Sequence, residues 1–204
     1  EEYFQNDKST YIDEIHEDIK WWEIVFNDKY DSFEELLPTN RRSLLDVGCG
    51  YGHFLLAGQK RGWEITGIEP SLTAFNYCKK EFNLNVINKA FDNETKTELG
   101  FFDVIYLAEV LEHVRDPYDL LFNAYEKLKP GGLICVEVPN DYSPFQIALR
   151  DACNYNPWWV YPNHHLNYFD FDSLGCILER VGLTVVLKDT TFPIDMFLLM
   201  GRNY

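Results

Sequence analysis

The chain has 204 residues, 46% of them hydrophobic and 16% aromatic, enough for one domain with a full core. Lys and Arg number 18 against 33 Asp and Glu, a formal charge of -15, which excludes a general nucleic-acid binder because phosphate contacts need a basic face. No apolar run approaches the roughly 18 to 20 residues of a membrane span, so no membrane partner is expected.

Five cysteines (Cys49, Cys78, Cys135, Cys153 and Cys176) are odd in number, widely spaced and without a C-x-x-C pair. Free thiols in a reducing, cytoplasmic setting are the expectation. The acidic N-terminus lacks Met and an apolar signal core, so the sequence reads as a cut segment of a longer protein. Nothing in it assigns an oligomeric state.

From Tyr3 to Leu37 the pattern is helical, with Tyr11, Ile15, Ile19 and Trp22 at four- and three-residue steps. Residues 1–40 are expected to form a helical cap, either covering a sheet edge or closing over a ligand with Tyr11, Trp21 or Trp22. Pro38-Thr39-Asn40 ends it. Residues 41–204 then alternate strand and helix. Leu44 to Val47 is a strand, and Gly48-Cys49-Gly50-Tyr51-Gly52 a turn with almost no side chains before a helix that runs to Arg61. Glycine serves where the chain must take φ > 0 or lie against a ligand. A Gly-x-Gly-x-Gly loop differs from the Gly-x-Gly-x-x-Gly of dinucleotide binders.

Glu64 to Glu69 is the second strand, and Ser71 caps the helix to Glu81. Asn85 to Asn88 is a short third strand, Thr95 to Leu99 at most a helical turn, and Phe102 to Leu107 the fourth strand. Asp116 and Pro117 open a helix to about Leu128. Pro130-Gly131-Gly132 reads as a turn and Leu133 to Val138 as strand five. An irregular, aromatic-rich interval follows to about Asp172. A helix to Val181, a sixth strand at Leu183 to Leu187, a loop containing Pro193 and a last strand at Phe197 to Met200 complete the chain. Strands separated by helices imply a parallel sheet with right-handed crossovers, an α/β class.

Glu69 ends the second strand 17 positions past Gly52, where a carboxylate can accept both ribose hydroxyls of a nucleotide at the glycine loop. Asp46 sits at the equivalent edge of the first strand and could hold loop N–H groups or a ligand amino group. Carboxylates and cysteines show no compact ligand spacing, so no metal site is expected.

Four stretches in order, L-L-D-V-G-C-G-Y-G, G-I-E-P-S, F-D-V-I-Y-L-A-E-V-L-E-H-V-R-D-P and L-K-P-G-G-L-I-C-V-E-V-P-N, resemble class I S-adenosylmethionine-dependent methyltransferases. The nearest flavour is the type 11/12/23 group, with its ubiquinone-biosynthesis and sugar methyltransferases; H-L-N-Y-F-D-F-D-S-L is a weaker echo. The resemblance implies a Rossmann-like, doubly wound, seven-stranded sheet, mostly parallel with the last strand antiparallel. S-adenosyl-L-methionine would be the cofactor, and a small molecule the methyl acceptor.

By the same resemblance, Asp46, Gly48, Cys49 and Gly50 would line the methionine part, and Glu69 with Pro70 would hold the ribose. Ala90 and Phe91 would sit against the adenine with Asp92 nearby, and Ala108 and Glu109 would lie under the sulfonium. N-K-A-F-D-N departs from the family's apolar run there.

Residues 140–170 would form an aromatic substrate lid, because loops this long in compact domains tend to be lids or binding elements. His165 and His164 are the leading base candidates, ahead of His113, since imidazole removes hydroxyl protons near neutral pH. His16 and His53 read as scaffold. The rival readings are a nicotinamide-dependent oxidoreductase and a non-catalytic S-adenosyl-ligand-binding module.

Overall fold

The computed structural model describes residues 18–190 and 200–201. Tyr11, Ile15, His16, Pro193 and the expected last strand, apart from Met200, lie outside the described residues. These form two units: the described residues up to Ala108 with Asn123–Val136, and Glu109–Phe122 with the described residues from Glu137 on.

The first unit is built on a five-stranded sheet in the order β3-β2-β1-β4-β5. The strands are β1 (Ser43–Val47), β2 (Glu64–Ile68), β3 (Val86–Ile87), β4 (Phe102–Ala108) and β5 (Leu128–Glu137). β1 pairs in parallel with both neighbours, Asp46 standing opposite Gly67 of β2 and Tyr106 of β4. All five residues of β1 are buried, as a strand covered on both faces requires.

Helices α1 (Ile19–Leu36), α2 (His53–Lys60) and α3 (Leu72–Phe82) belong to this unit. Ser71 caps α3 as the sequence predicts, accepting from Ala74 N at 3.4 Å. The turn expected near Thr95 is a 3₁₀ helix, Thr95–Glu98.

α1 packs on α2 through an aromatic cluster. Tyr30 is fully buried, stacks on Phe54 with ring centroids 4.7 Å apart, and donates its hydroxyl to the Phe54 carbonyl at 3.2 Å. Gly58 of α2 makes this approach possible, because a Cβ there would lie 2.1 Å from Tyr30 Oη. Alanine usually favours a helix over glycine by about 1 kcal/mol. With Tyr30 held on several sides, Gly58→Ala is nonetheless expected to destabilise the protein by about 1–3 kcal/mol through overpacking, read in urea unfolding. A variant as stable as the parent would show that Tyr30 yields.

Two expectations about strands change. Pro130-Gly131-Gly132 is part of β5, kinked at Gly131 (φ 71°), and β5 lies at the sheet edge, the place where a strand tolerates proline. Leu183–Leu187 has no regular structure, and Val186 is 65% exposed. A β-prone run becomes a strand only through a neighbour that pairs with it, and among the described residues none does.

The second unit holds the 3₁₀ turn Leu111–His113, most of α4 (Pro117–Tyr125), α5 (Pro144–Cys153) and α6 (Phe171–Val181). α5 corrects the expectation of an irregular interval: Ser143 and Gln146 form a reciprocal capping box ahead of it. An isolated bridge joins Asn140 to Phe169. No helix among the described residues is long and apolar enough to cross a membrane.

Candidate functional site

In the first unit the glycine loop leaves β1 and is tied to the end of β2. Gly48 N and Cys49 N donate to the Ile68 carbonyl at 2.8 and 3.1 Å. Gly50 takes a left-handed φ of 51°, and a Cβ built there would meet nothing within 4 Å. At Gly50 the loop thus presents bare backbone to open space.

Glu69, buried at the end of β2, grips the loop: Oε2 accepts from Gly50 N at 2.9 Å and Oε1 from Ser71 N at 2.6 Å. Asp46 is buried one residue before the end of β1. The sequence therefore brings Asp46, Gly48, Cys49, Gly50 and Glu69 together at the carboxyl ends of two adjacent parallel strands, with exposed Pro70 next in the chain. This is the edge at which open α/β sheets bind ligands.

Ala90 and Phe91 follow β3, Ala90 exposed and Phe91 buried. Asp92 lies just ahead of the 3₁₀ turn, its carboxylate accepting from Thr95 N at 2.8 Å and Glu94 N at 3.0 Å, and the Thr95 amide holds that carboxyl below the ordinary range. Ala108 ends β4. Cys78 Sγ donates to the Gly50 carbonyl at 3.3 Å, and all five cysteines are free thiols.

The second unit gathers the three histidines. His113 Nδ1 lies 2.8 Å from the His164 carbonyl. A carbonyl only accepts, so Nδ1 carries the proton. That leaves Nε2 turned to Glu112 Oε1, 3.7 Å away. The His113 and His165 rings stand 5.1 Å apart, while His164 stacks on Tyr161 at 4.3 Å. His165 Nδ1 is buried and no hydrogen bond reaches it. Burial, and then the charges of His113 and His164, lower the His165 pKa below its ordinary 6.5, so the ring is neutral at pH 7.

Three residues that sequence reasoning passed over complete this cluster. Glu112 is fully buried, and its carbonyl accepts from Leu166 N and Asn167 N at 2.7 and 3.1 Å. Asn167 clamps the 3₁₀ turn through Nδ2 to the Leu111 and Val114 carbonyls, at 3.1 and 2.7 Å. Asp141 is buried directly after the bridge at Asn140. A carboxylate just past a strand's carboxyl end, as in V-P-N-D, was the available signal for Asp141. Nothing local marks Asn167.

Glu109 takes a left-handed φ of 54° and donates its N–H to the Glu137 carbonyl at 3.0 Å. It keeps an exposed face, yet burial of the carboxyl and then the Glu112 charge push it up to about 8. The expectation of no metal site rested on spacing along the chain. Folding nevertheless places one ligand atom each from Glu112, His113 and His165 within 4.8 Å of one another, a group that could hold a metal ion.

The family described as "Methyltransferase domain" matches residues 21–188. The ubiquinone biosynthesis O-methyltransferase of Cereibacter sphaeroides (strain ATCC 17023) is 30% identical over 156 residues, which are 74% of this chain and 63% of that protein. The mitochondrial enzyme of the same name from Schizosaccharomyces pombe is 35% identical over 106 residues, 49% of this chain and 39% of that one. The chain thus spans less than two thirds of these relatives.

Among solved structures, the plantazolicin methyltransferase BpumL in complex with a monoazolic desmethylPZN analog and SAH superposes with TM-score 0.67 at 16% identity, covering 98% of this chain and 83% of that one. A SAM-dependent methyltransferase from Archaeoglobus fulgidus gives 0.62 at 21%, covering 89% and 83%. These two similarities bear on the fold alone. With the glycine loop gripped by a strand-end glutamate and the family match running from α1 past α6, the chain belongs to the class I S-adenosylmethionine-dependent methyltransferases.

Proposed function

We propose that the whole protein transfers a methyl group from S-adenosylmethionine to a small-molecule acceptor, a sugar derivative or a hydroxylated metabolite. The observation that carries this reading is the pairing of Gly50 N–H with Glu69 beside bare loop backbone. The residues fit the cofactor. Open space at Gly50 admits a ligand against the main chain, and a carboxylate accepts about four hydrogen bonds, so Glu69 can hold the loop and ribose hydroxyls together.

In this reading Asp46, Gly48, Cys49 and Gly50 line the methionine part, Glu69 with Pro70 takes the ribose, Ala90 and Phe91 the adenine, and Ala108 and Glu109 the region of the sulfonium. The cofactor supplies a methyl on cationic sulfur, already activated, so positioning and exclusion of water do most of the catalysis. His165, neutral at pH 7, accepts the proton of an acceptor hydroxyl. His113, locked by the His164 carbonyl, orients it. The printed names of the ubiquinone-biosynthesis relatives favour oxygen as the methylated atom. The free cysteines suit a reducing, cytoplasmic setting.

Calorimetry tests the cofactor. S-adenosylmethionine and S-adenosylhomocysteine are expected to bind with a Kd of about 1–100 μM. At a hundredfold excess over Kd they should stabilise the fold by about 2.7 kcal/mol, whereas NAD should do neither. NAD binding without S-adenosyl ligand binding would overturn the assignment. Transfer of labelled methyl to acceptor pools separates an enzyme from a binding module.

A further inference from the structure

The strip of chain that carries His164 and His165 has little apolar burial to hold it. No residue from 160 to 168 is buried as a whole, although Trp159 and Phe169 on either side are. Without that burial, hydrogen bonds must set where the strip lies. The turn it meets is anchored differently, since Leu111 and Glu112 are fully buried.

Asn167 supplies most of the joint between them. Its backbone N–H donates to the Glu112 carbonyl at 3.1 Å, and its amide Nδ2 donates to the Leu111 and Val114 carbonyls at 3.1 and 2.7 Å. The Leu166 N–H, bonded to the same Glu112 carbonyl, and the His164 carbonyl, bonded to His113 Nδ1, complete it. Carbonyls only accept, so the two side-chain contacts require two N–H donors on one short stem, which asparagine offers. Aspartate would set acceptor against acceptor, and an apolar residue would leave the carbonyls unpaired.

His113 lies between the clamped carbonyls of Leu111 and Val114, and His165 lies two positions before Asn167. Their rings face each other across this joint, 5.1 Å apart. We propose that Asn167 is a positioning residue for methyl transfer: it locks the strip to the turn and so holds His165 where it meets the acceptor hydroxyl. The clamp stands on the geometry, whereas its effect on turnover rests on the methyl-transfer reading with His165 as base. Misplacing a reacting geometry by about 1 Å can lower a rate about 100-fold.

Asn167→Ala and Asn167→Asp remove the donors, and Asn167→Gln keeps them one methylene farther out. The full chain and each variant are compared by calorimetry with S-adenosylhomocysteine, by labelled-methyl transfer to catechol and glucose, and by the nuclear Overhauser contact between the His113 and His165 rings. Alanine and aspartate should lose the ring contact and lower kcat by about 10- to 100-fold, with cofactor affinity and acceptor KM within about threefold of the parent. Glutamine should keep more of both than alanine does, and it is the variant to use should the others fail to fold. On a His165→Ala background, Asn167→Ala should cost less than about twofold more, because the ring it places is gone. Parent-like turnover in Asn167→Ala, or an unchanged ring contact, overturns the proposal. So does the full loss on the His165→Ala background, or cofactor affinity that falls with turnover, either of which makes Asn167 a structural brace. If the parent methylates neither probe, the ring contact alone decides the clamp, and a parent that also ignores S-adenosylhomocysteine sinks the methyl-transfer reading.

Discussion

His165→Ala is expected to lower turnover by about 100- to 10,000-fold while S-adenosylmethionine binds as in the parent, the usual range for removing a positioned general base. The expectation follows from a buried Nδ1 that no hydrogen bond reaches, on a ring fixed 5.1 Å from His113. The pH profile carries the sign. The base form is the neutral imidazole, and burial depresses the His165 pKa below 6.5. The parent's rate should therefore be flat above pH 6.5 and fall as pH drops through the depressed value. His113→Ala should cost less, since that ring acts by orienting its neighbour, and His164→Ala less again, its ring being stacked on Tyr161. If all three variants turn over like the parent, no histidine of the cluster is a base.

Glu69→Ala is expected to weaken S-adenosylmethionine binding by about 1.5–3 kcal/mol, roughly 10- to 150-fold. Ribose hydroxyls lose their acceptor, and the Gly50 and Ser71 amides lose the carboxylate that fixes the loop. The second loss makes the effect larger than a bare ligand contact. Because Glu69 follows β2 directly, the sheet should survive, which circular dichroism would check. Unchanged affinity in a folded variant would show that Glu69 neither holds the ribose nor shapes the loop for it.

The first unit was legible because its information is local. β1 and β4 are short apolar runs, and the punctuation between them (the three glycines, Ser71 before α3, Asp116-Pro117 before α4) acts within a few residues through backbone conformation and capping. Asp46, Gly50 and Glu69 could be named from sequence because parallel pairing brings the ends of consecutive strands together.

Where the reading failed, the deciding partner was not local. β5 absorbed Pro130 because it lies at an edge, and Leu183–Leu187 is irregular with no pairing neighbour among the described residues; neither fact is written in those residues. α5 is the exception, a local signal, Ser143-Pro144-x-Gln146, overlooked among the surrounding aromatics.

The sequence by itself determined the parallel α/β class and the glycine turn that follows β1, since both follow from strand ends and turns. Only the tertiary structure decided the histidine cluster. His113 and His165 lie 52 positions apart, and they meet because Asn167 and the Glu112 carbonyl bind one strip of chain to another. Burial of Glu112 and Asp141, which sets their chemistry, likewise comes from what packs around them, a property that neighbours in sequence do not encode.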